Sequence, residues 1–237
     1  MLTKSNRIIY ILGPEGVGKS THAYLLIQYL RKYYGAKVTN IEISVHSLFM
    51  HLLREFLIRC GRVEYYQYPN AYVARIDRLF MYRIINLWII LETMAFLFSH
   101  LLKITILKYL GFIIILTRHV VDFLVNIYAI GFTCRRLTYI HYVLTYVLLR
   151  LFTYDLVIYL DANYEALVER YKRRHTYIEL RKWIEFYRYI SIKLLMLISN
   201  QPHRRTYYID TTSRTLSSTF TKILGILYSK DLLHDHA

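Results

Sequence analysis

Residues 13 to 21 read Gly13-Pro14-Glu15-Gly16-Val17-Gly18-Lys19-Ser20-Thr21, a complete G-x-x-x-x-G-K-[ST] pattern. Such spacing lets the backbone wrap an anion with its N–H groups turned inward, gives Lys19 reach to β- and γ-phosphates, and puts the Ser20 hydroxyl on Mg²⁺. The chemistry implied is nucleoside triphosphate binding. ATP and Mg²⁺ are the expected cofactors, with the nine loop residues as contacts and Ser20 as the metal ligand. Glu15 is the odd member, because a carboxylate cannot stabilise phosphate charge. Guanidinium groups must then come from outside the loop.

The chain offers several. Arg118 ends the aliphatic run Ile113-Ile114-Ile115-Leu116, where a strand's carboxyl end would deliver it to a ligand. Arg170, Lys172, Arg173 and Arg174 form a basic cluster that fits a lid over a triphosphate, or else an exposed basic face. Arg75 and Arg78 are within reach of an acceptor phosphate, with a solvated helix face as the plainer reading. Lys19, Arg118 and Arg174 are the expected catalytic set, since phosphoryl transfer rests on positioning and on neutralising spreading negative charge. Arg170 is expected on the triphosphate, and Arg118, Arg75 and Arg78 on the acceptor. Asp122 is the nearest acid, able to assist Mg²⁺ through water or to start a helix. Tyr65, Tyr66, Tyr68 and Tyr72 form an aromatic stretch able to stack a base or simply to pack.

Positioning these groups requires strands and helices in alternation. Arg7–Leu12, Lys37–Ile43, Gly111–Arg118, Tyr154–Asp161 and Arg205–Asp210 read as five apolar strands. Ala23, Leu26, Ile27 and Leu30 recur at helical spacing after the glycine loop, and Gly35 ends that helix. Ser44 or Ser47 is a candidate cap for a second helix, and Arg62 to Asn70 reads as a loop. A long apolar helical segment is expected over 72–110, and a mostly helical one from Val120 to Arg150 with a break at Gly131. Asn163 caps the helix after the fourth strand, and Ser213 starts the last one. This order predicts an α/β fold, a five-stranded parallel sheet with helices on both faces, in one domain spanning 1–237 with a basic lid region at about 170–182.

Bulk properties bound the partners. Thirty-one Lys and Arg against 16 Asp and Glu give a net charge of +15, which favours anionic partners: nucleotides, nucleic acid or an acidic membrane surface. Hydrophobic residues make up 55% and tyrosine occurs 25 times. The most apolar region, 84–116, is interrupted by Glu92, Lys103 and Lys108, and the longest run without Asp, Glu, Lys or Arg, Leu137–Leu149, falls short of the ~20 residues that span a bilayer. Helices packed on a sheet are therefore expected, with a peripheral membrane contact or a dimer contact left open. Two cysteines without metal spacing and no signal-peptide pattern point to a reduced, cytoplasmic setting.

Three separated stretches resemble the thymidylate kinase group of P-loop nucleoside monophosphate kinases: residues 13–21, Ile115-Leu116-Thr117-Arg118-His119-Val120-Val121-Asp122, and Asp155–Asp161 running on to Glu169-Arg170-Tyr171-Lys172-Arg173-Arg174. The resemblance implies ATP-dependent phosphoryl transfer to a nucleoside monophosphate, dTMP being the first candidate, with Arg118 gripping the acceptor and the basic cluster closing over ATP. A homodimer is among the assemblies it leaves open. Thr117 stands where the family has an aspartate that organises Mg²⁺ and the transferred group, His119 where it has tyrosine, and no Pro-Arg follows the second strand. These departures imply an alternative: a nucleotide-binding switch that has lost transfer chemistry and associates with a membrane surface or nucleic acid.

Overall fold

The computed structural model describes residues 7–42, 55–56, 58–61, 63–68, 71–76, 78–133, 135, 137–176, 178–199 and 205–229. The expected cap at Ser44 or Ser47 lies outside them. In chain order the elements are β1 (Ile8–Leu12), α1 (Lys19–Tyr34), β2 (Val38–Glu42), β3 (Val63–Tyr68), β4 (Ala71–Ile76), α2 (Arg78–Tyr109), β5 (Ile113–Arg118), α3 (Val120–Thr133), α4 (Tyr139–Leu151), β6 (Leu156–Asp161), α5 (Tyr164–Arg173), α6 (Arg181–Ser199), β7 (Thr206–Asp210) and α7 (Leu216–Tyr228).

The main sheet has five strands in the order β2-β5-β1-β6-β7, all parallel. The five strands expected from sequence are the five in this sheet. Alternation along β1 divides the core: Ile8, Tyr10 and Leu12 face α2, α3, α4 and α6, whereas Ile9 and Ile11 face α1, α5 and α7. Being covered on both faces is what makes each strand read as an unbroken apolar run. The carboxyl ends of β1, β5 and β6 lie side by side, so the glycine loop, Arg118 and the segment that follows β6 open on one edge.

Three expectations need correction. Residues 63–76, read as a loop running into a helix, are instead the antiparallel pair β3 and β4, in register from Val63↔Ile76 to Tyr68↔Ala71. The apolar helix accordingly begins at Arg78, not at 72. Tyrosine and valine favour the extended, paired backbone once a partner strand is present, and that partner is a non-local fact. Gly131 does not break α3, which runs through it. A Cβ there would stand 2.7 Å from His141 Nε2 and from Leu137 Cδ2, so the missing side chain is what lets α3 and α4 approach. The last helix is capped by Thr215, whose hydroxyl accepts from Ser218 N at 3.2 Å, rather than started by Ser213. Asn163 caps α5 as expected, accepting from Ala166 N at 2.8 Å.

The helix α2 is only partly a core helix. Ile85, Trp88, Ile89, Phe96 and Ile104 are buried along one stripe, together with Glu92 at 3% exposure. Its span Tyr82–Tyr109 is long and apolar enough to cross a membrane, and 33% of its most apolar window is buried. One stripe packs in the core, as expected of a helix laid on a sheet, and a second apolar stripe, with Leu87, Met94 and Phe98, faces outward.

Candidate nucleotide site

The loop between β1 and α1 is shaped by glycine. Gly13, Gly16 and Gly18 have φ of 148°, 83° and 95°, conformations that residues with a Cβ rarely adopt. Gly13 also lies against β6, where a Cβ would meet the Leu160 carbonyl oxygen at 2.0 Å. The loop is thus pressed onto the strand beside it and delivers Lys19 and Ser20 to the first turn of α1, the positive end of that helix.

Lys19 is buried, its ammonium donating to the carbonyl oxygens of Gly13 at 2.7 Å and Pro14 at 2.8 Å. It also stands 3.6 Å from Glu15 Oε2. The same oxygen accepts from Arg118 Nη2 at 2.8 Å, and Arg118 Nε lies 3.6 Å from Glu42 Oε1 at the end of β2. Glu15, Lys19, Arg118 and Glu42 therefore form one chain of alternating charge across the carboxyl edge of the sheet. Burial alone would raise the Glu15 pKa, but Lys19 and Arg118 outweigh it and hold the carboxyl below its ordinary value. Burial likewise opposes the Arg118 charge, yet Glu15 and Glu42 raise its pKa above the usual one.

From the other side comes the basic end of α5. Arg170 donates to Thr211 Oγ1 at 3.1 Å and to the Thr211 carbonyl at 2.6 Å, with the Gly16 carbonyl at 3.5 Å. It fastens the loop to the segment after β7. Burial, then the neighbouring charges of Arg174 and Arg173, depress its pKa. Arg174 itself is exposed at the end of α5. Tyr171 lies beneath Gly16 and its hydroxyl donates to the Glu15 carbonyl at 2.8 Å and, more weakly, to Glu179 Oε2 at 3.4 Å. Burial and the nearby Glu15 charge raise the Glu179 pKa, against the opposing pull of Lys19.

Other residues singled out from sequence stand elsewhere. Arg75 is in β4, in register with Glu64, and Arg78 opens α2; their side chains lie outside what the structure describes. Asp122 is taken up by structure: it accepts from the Tyr10 hydroxyl at 2.6 Å, the His119 amide at 3.0 Å and the Tyr187 hydroxyl at 2.7 Å. It stands in the first turn of α3, where its bond from the His119 amide is that of a helix-starting acid. His119 is buried, bonded through Nδ1 to the Tyr154 hydroxyl at 2.8 Å, and burial drives its pKa far down. Thr117 is 0% exposed and its hydroxyl has no hydrogen-bond partner among the described residues.

Glu42, Tyr171, Glu179 and Thr211 were missed by sequence reasoning. Glu42 alone left a signal, an acid at a predicted strand's carboxyl end. For Mg²⁺ the donor set is thin: Ser20 is exposed on the first turn of α1, and no group of three metal-ligating side chains occurs among the described residues. That fits a cation carried mainly by phosphate oxygens and water.

No protein-family model matches the chain, and no curated sequence matches it. Solved structures do. Thymidylate kinase from Candida albicans superposes with a TM-score of 0.56 at 16% identity, covering 95% of this chain and 92% of that one. Deoxyadenosine kinase from M. mycoides with bound dATP gives 0.58 at 15%, over 93% and 99%. Thymidylate kinase from Ehrlichia chaffeensis gives 0.51 at 18%, over 94% and 98%. The fold is therefore that of the P-loop nucleoside monophosphate kinase-like proteins, as the sequence resemblance implied.

Proposed function

On this fold we propose that the chain is a nucleotide kinase that moves the γ-phosphoryl group of ATP to an acceptor bound beside Arg118, dTMP being the first acceptor to try. The observation that carries this reading is the convergence of two cations on one oxygen. Lys19 Nζ, from the triphosphate loop, and Arg118 Nη2, from the acceptor-side strand, stand 3.6 Å and 2.8 Å from Glu15 Oε2. Cations so spaced are placed to share an equatorial oxygen of a phosphoryl group in transit. In the working complex the phosphoryl oxygens would take the position that Glu15 Oε2 holds. The γ-phosphorus bond to the bridging oxygen breaks, a bond to the acceptor oxygen forms, and ADP leaves. Lys19 and Arg118 neutralise the charge, Arg170 fixes the loop, and Arg174 stands at the lid's rim. Ser20 would hold Mg²⁺, which supplies charge neutralisation at the phosphates when bound.

A second reading of the acceptor is favoured by Glu42. A phosphate acceptor is nucleophilic as it stands, whereas a nucleoside hydroxyl must give up a proton, and the Glu42 carboxylate at the Arg118 guanidinium is suited to take it. ADP release should be measured with ATP and a panel of acceptors, nucleoside monophosphates and free nucleosides. Transfer to dTMP supports the first reading. Transfer to a nucleoside that is lost in Glu42→Gln supports the second. Lys19→Ala should weaken ATP binding at least about tenfold, and unchanged ATP binding in that variant would remove the site assignment altogether. Intact ATP binding with no acceptor-stimulated ADP release would leave the switch protein.

A further inference from the structure

On the sheet face that α2 and α4 cover, a cavity of about 120 Å³ lies between the last turns of α2, the start of β1 and residues 152–154, which lead into β6. No residue of the glycine loop, and neither Arg118 nor Arg170, lines it. Its walls are apolar, with Ile104, Leu116 and Phe152 among them, and exposed Thr105 and Thr153 mark its mouth. An apolar cavity of about 150 Å³ holds benzene, so this one, open at its mouth, suits a single ring whose outer substituent emerges.

Two polar groups interrupt the apolar lining. His119 is 1% exposed, and its Nε2 has no hydrogen-bond partner among the described residues, whereas Nδ1 is bonded to the Tyr154 hydroxyl at 2.8 Å. The Phe152 ring meets the imidazole edge-on, at 4.6 Å between centroids, and fixes its orientation. A buried polar atom without a partner is costly, and the space open to this one is the cavity that His119 lines. Burial keeps the imidazole neutral, so Nε2 donates or accepts according to tautomer, and a hydroxyl group answers either. The second group is Lys108, half-buried on α2, and none of the residues lining the cavity is acidic. A carboxylate is the natural counterpart of that ammonium.

We propose that this cavity binds a single-ring hydroxyaromatic carboxylate, with its hydroxyl on His119 Nε2, its ring against Ile104 and Phe152, and its carboxylate on Lys108. A purely apolar ligand leaves both polar groups unanswered. A nucleotide is too large for the space and would bring several phosphate charges to one cation. A metal ion fits poorly as well: His100 lies near His119, at 6.3 Å between ring centroids, but no group of three metal-ligating side chains occurs among the described residues. Water alone would satisfy Nε2 and leave the apolar walls and Lys108 unused.

Calorimetric titration of the full chain with 4-hydroxybenzoate, benzoate and phenol, each with and without ATP, tests this. The hydroxy acid should bind about five- to tenfold tighter than either analogue, and ATP should leave its affinity unchanged. His119→Phe, which keeps a ring in place, should erase the advantage over benzoate while benzoate binding persists and shows the variant to be folded. Lys108→Met, at a half-buried position, should erase the advantage over phenol and so checks the other anchor independently. No binding of any of the three, as expected of a cavity that holds water only, overturns the proposal. So does equal affinity for the hydroxy acid and benzoate, an advantage that survives both substitutions, or binding that ATP displaces, which would put the acid on the cations of the glycine loop.

Discussion

Glu15 sets the behaviour of the site more than any other residue. Its carboxylate holds Arg118 and stands beside Lys19, so it competes with phosphate oxygens for both cations. Glu15→Gln should therefore tighten ATP binding, by about three- to tenfold, through removal of one negative charge from a partly screened position. The acceptor KM should rise in the same variant, because Arg118 loses the carboxylate that holds it in place before the phosphoryl group arrives; ATP titration and acceptor kinetics read the two effects separately. Much of this cluster was readable in advance. The glycine loop is a local pattern whose residues meet because they are consecutive, and Arg118 was legible because strand ends in parallel sheets face ligands. Glu42 and Glu179 were not, since each reaches the site only through the register of β2 on β5 or through the path of the lid. Thr211 is equally remote, more than forty positions from the Arg170 it holds.

Among the elements, α5 links fold and site most directly. Its first turn is fixed by Asn163 and its last presents Arg170 and Tyr171 to the loop. Asn163→Ala should cost about 1 kcal/mol of stability. Fraying at that end should weaken ATP binding modestly, which thermal melts with and without ATP would resolve. The strands of the main sheet were legible because burial on both faces leaves an unbroken aliphatic signature. The β3–β4 pair was not. Val63-Glu64-Tyr65-Tyr66-Gln67-Tyr68 lacks strict alternation, and Ala71–Ile76 suits either period, so only their mutual pairing decides the outcome. The misplaced break at Gly131 has a related cause, since a glycine that opens room for a neighbouring helix looks in sequence like one that ends its own.

For the molecule as a whole, buried histidines set the acid limit. Burial depresses the pKa of His22 to about 4, with Arg170 adding to it, and that of His100 also to about 4. His119 and His141 shift the same way. Between pH 6.5 and 4 the unfolded chain takes up protons that the folded chain refuses, so stability is fully present above 6.5 and lost as pH falls through that window. His22 alone contributes on the order of 3 kcal/mol. Glu179, with its raised pKa, acts in the opposite sense, one group against four. Urea midpoints should drop steeply from pH 7 to pH 4.5, and His22→Gln should flatten the slope. Asp122 bears on how such unfolding proceeds. Its two oxygens hold Tyr10 in the central strand, the His119 amide just before α3 and Tyr187 in α6, so distant parts of the chain share one carboxylate. None of them can detach alone without stranding the others' hydroxyls in apolar surroundings. The helix that bears the outer stripe is tied into this same core, so strain imposed at the surface travels as a change in whole-body cooperativity rather than as the fraying of one edge.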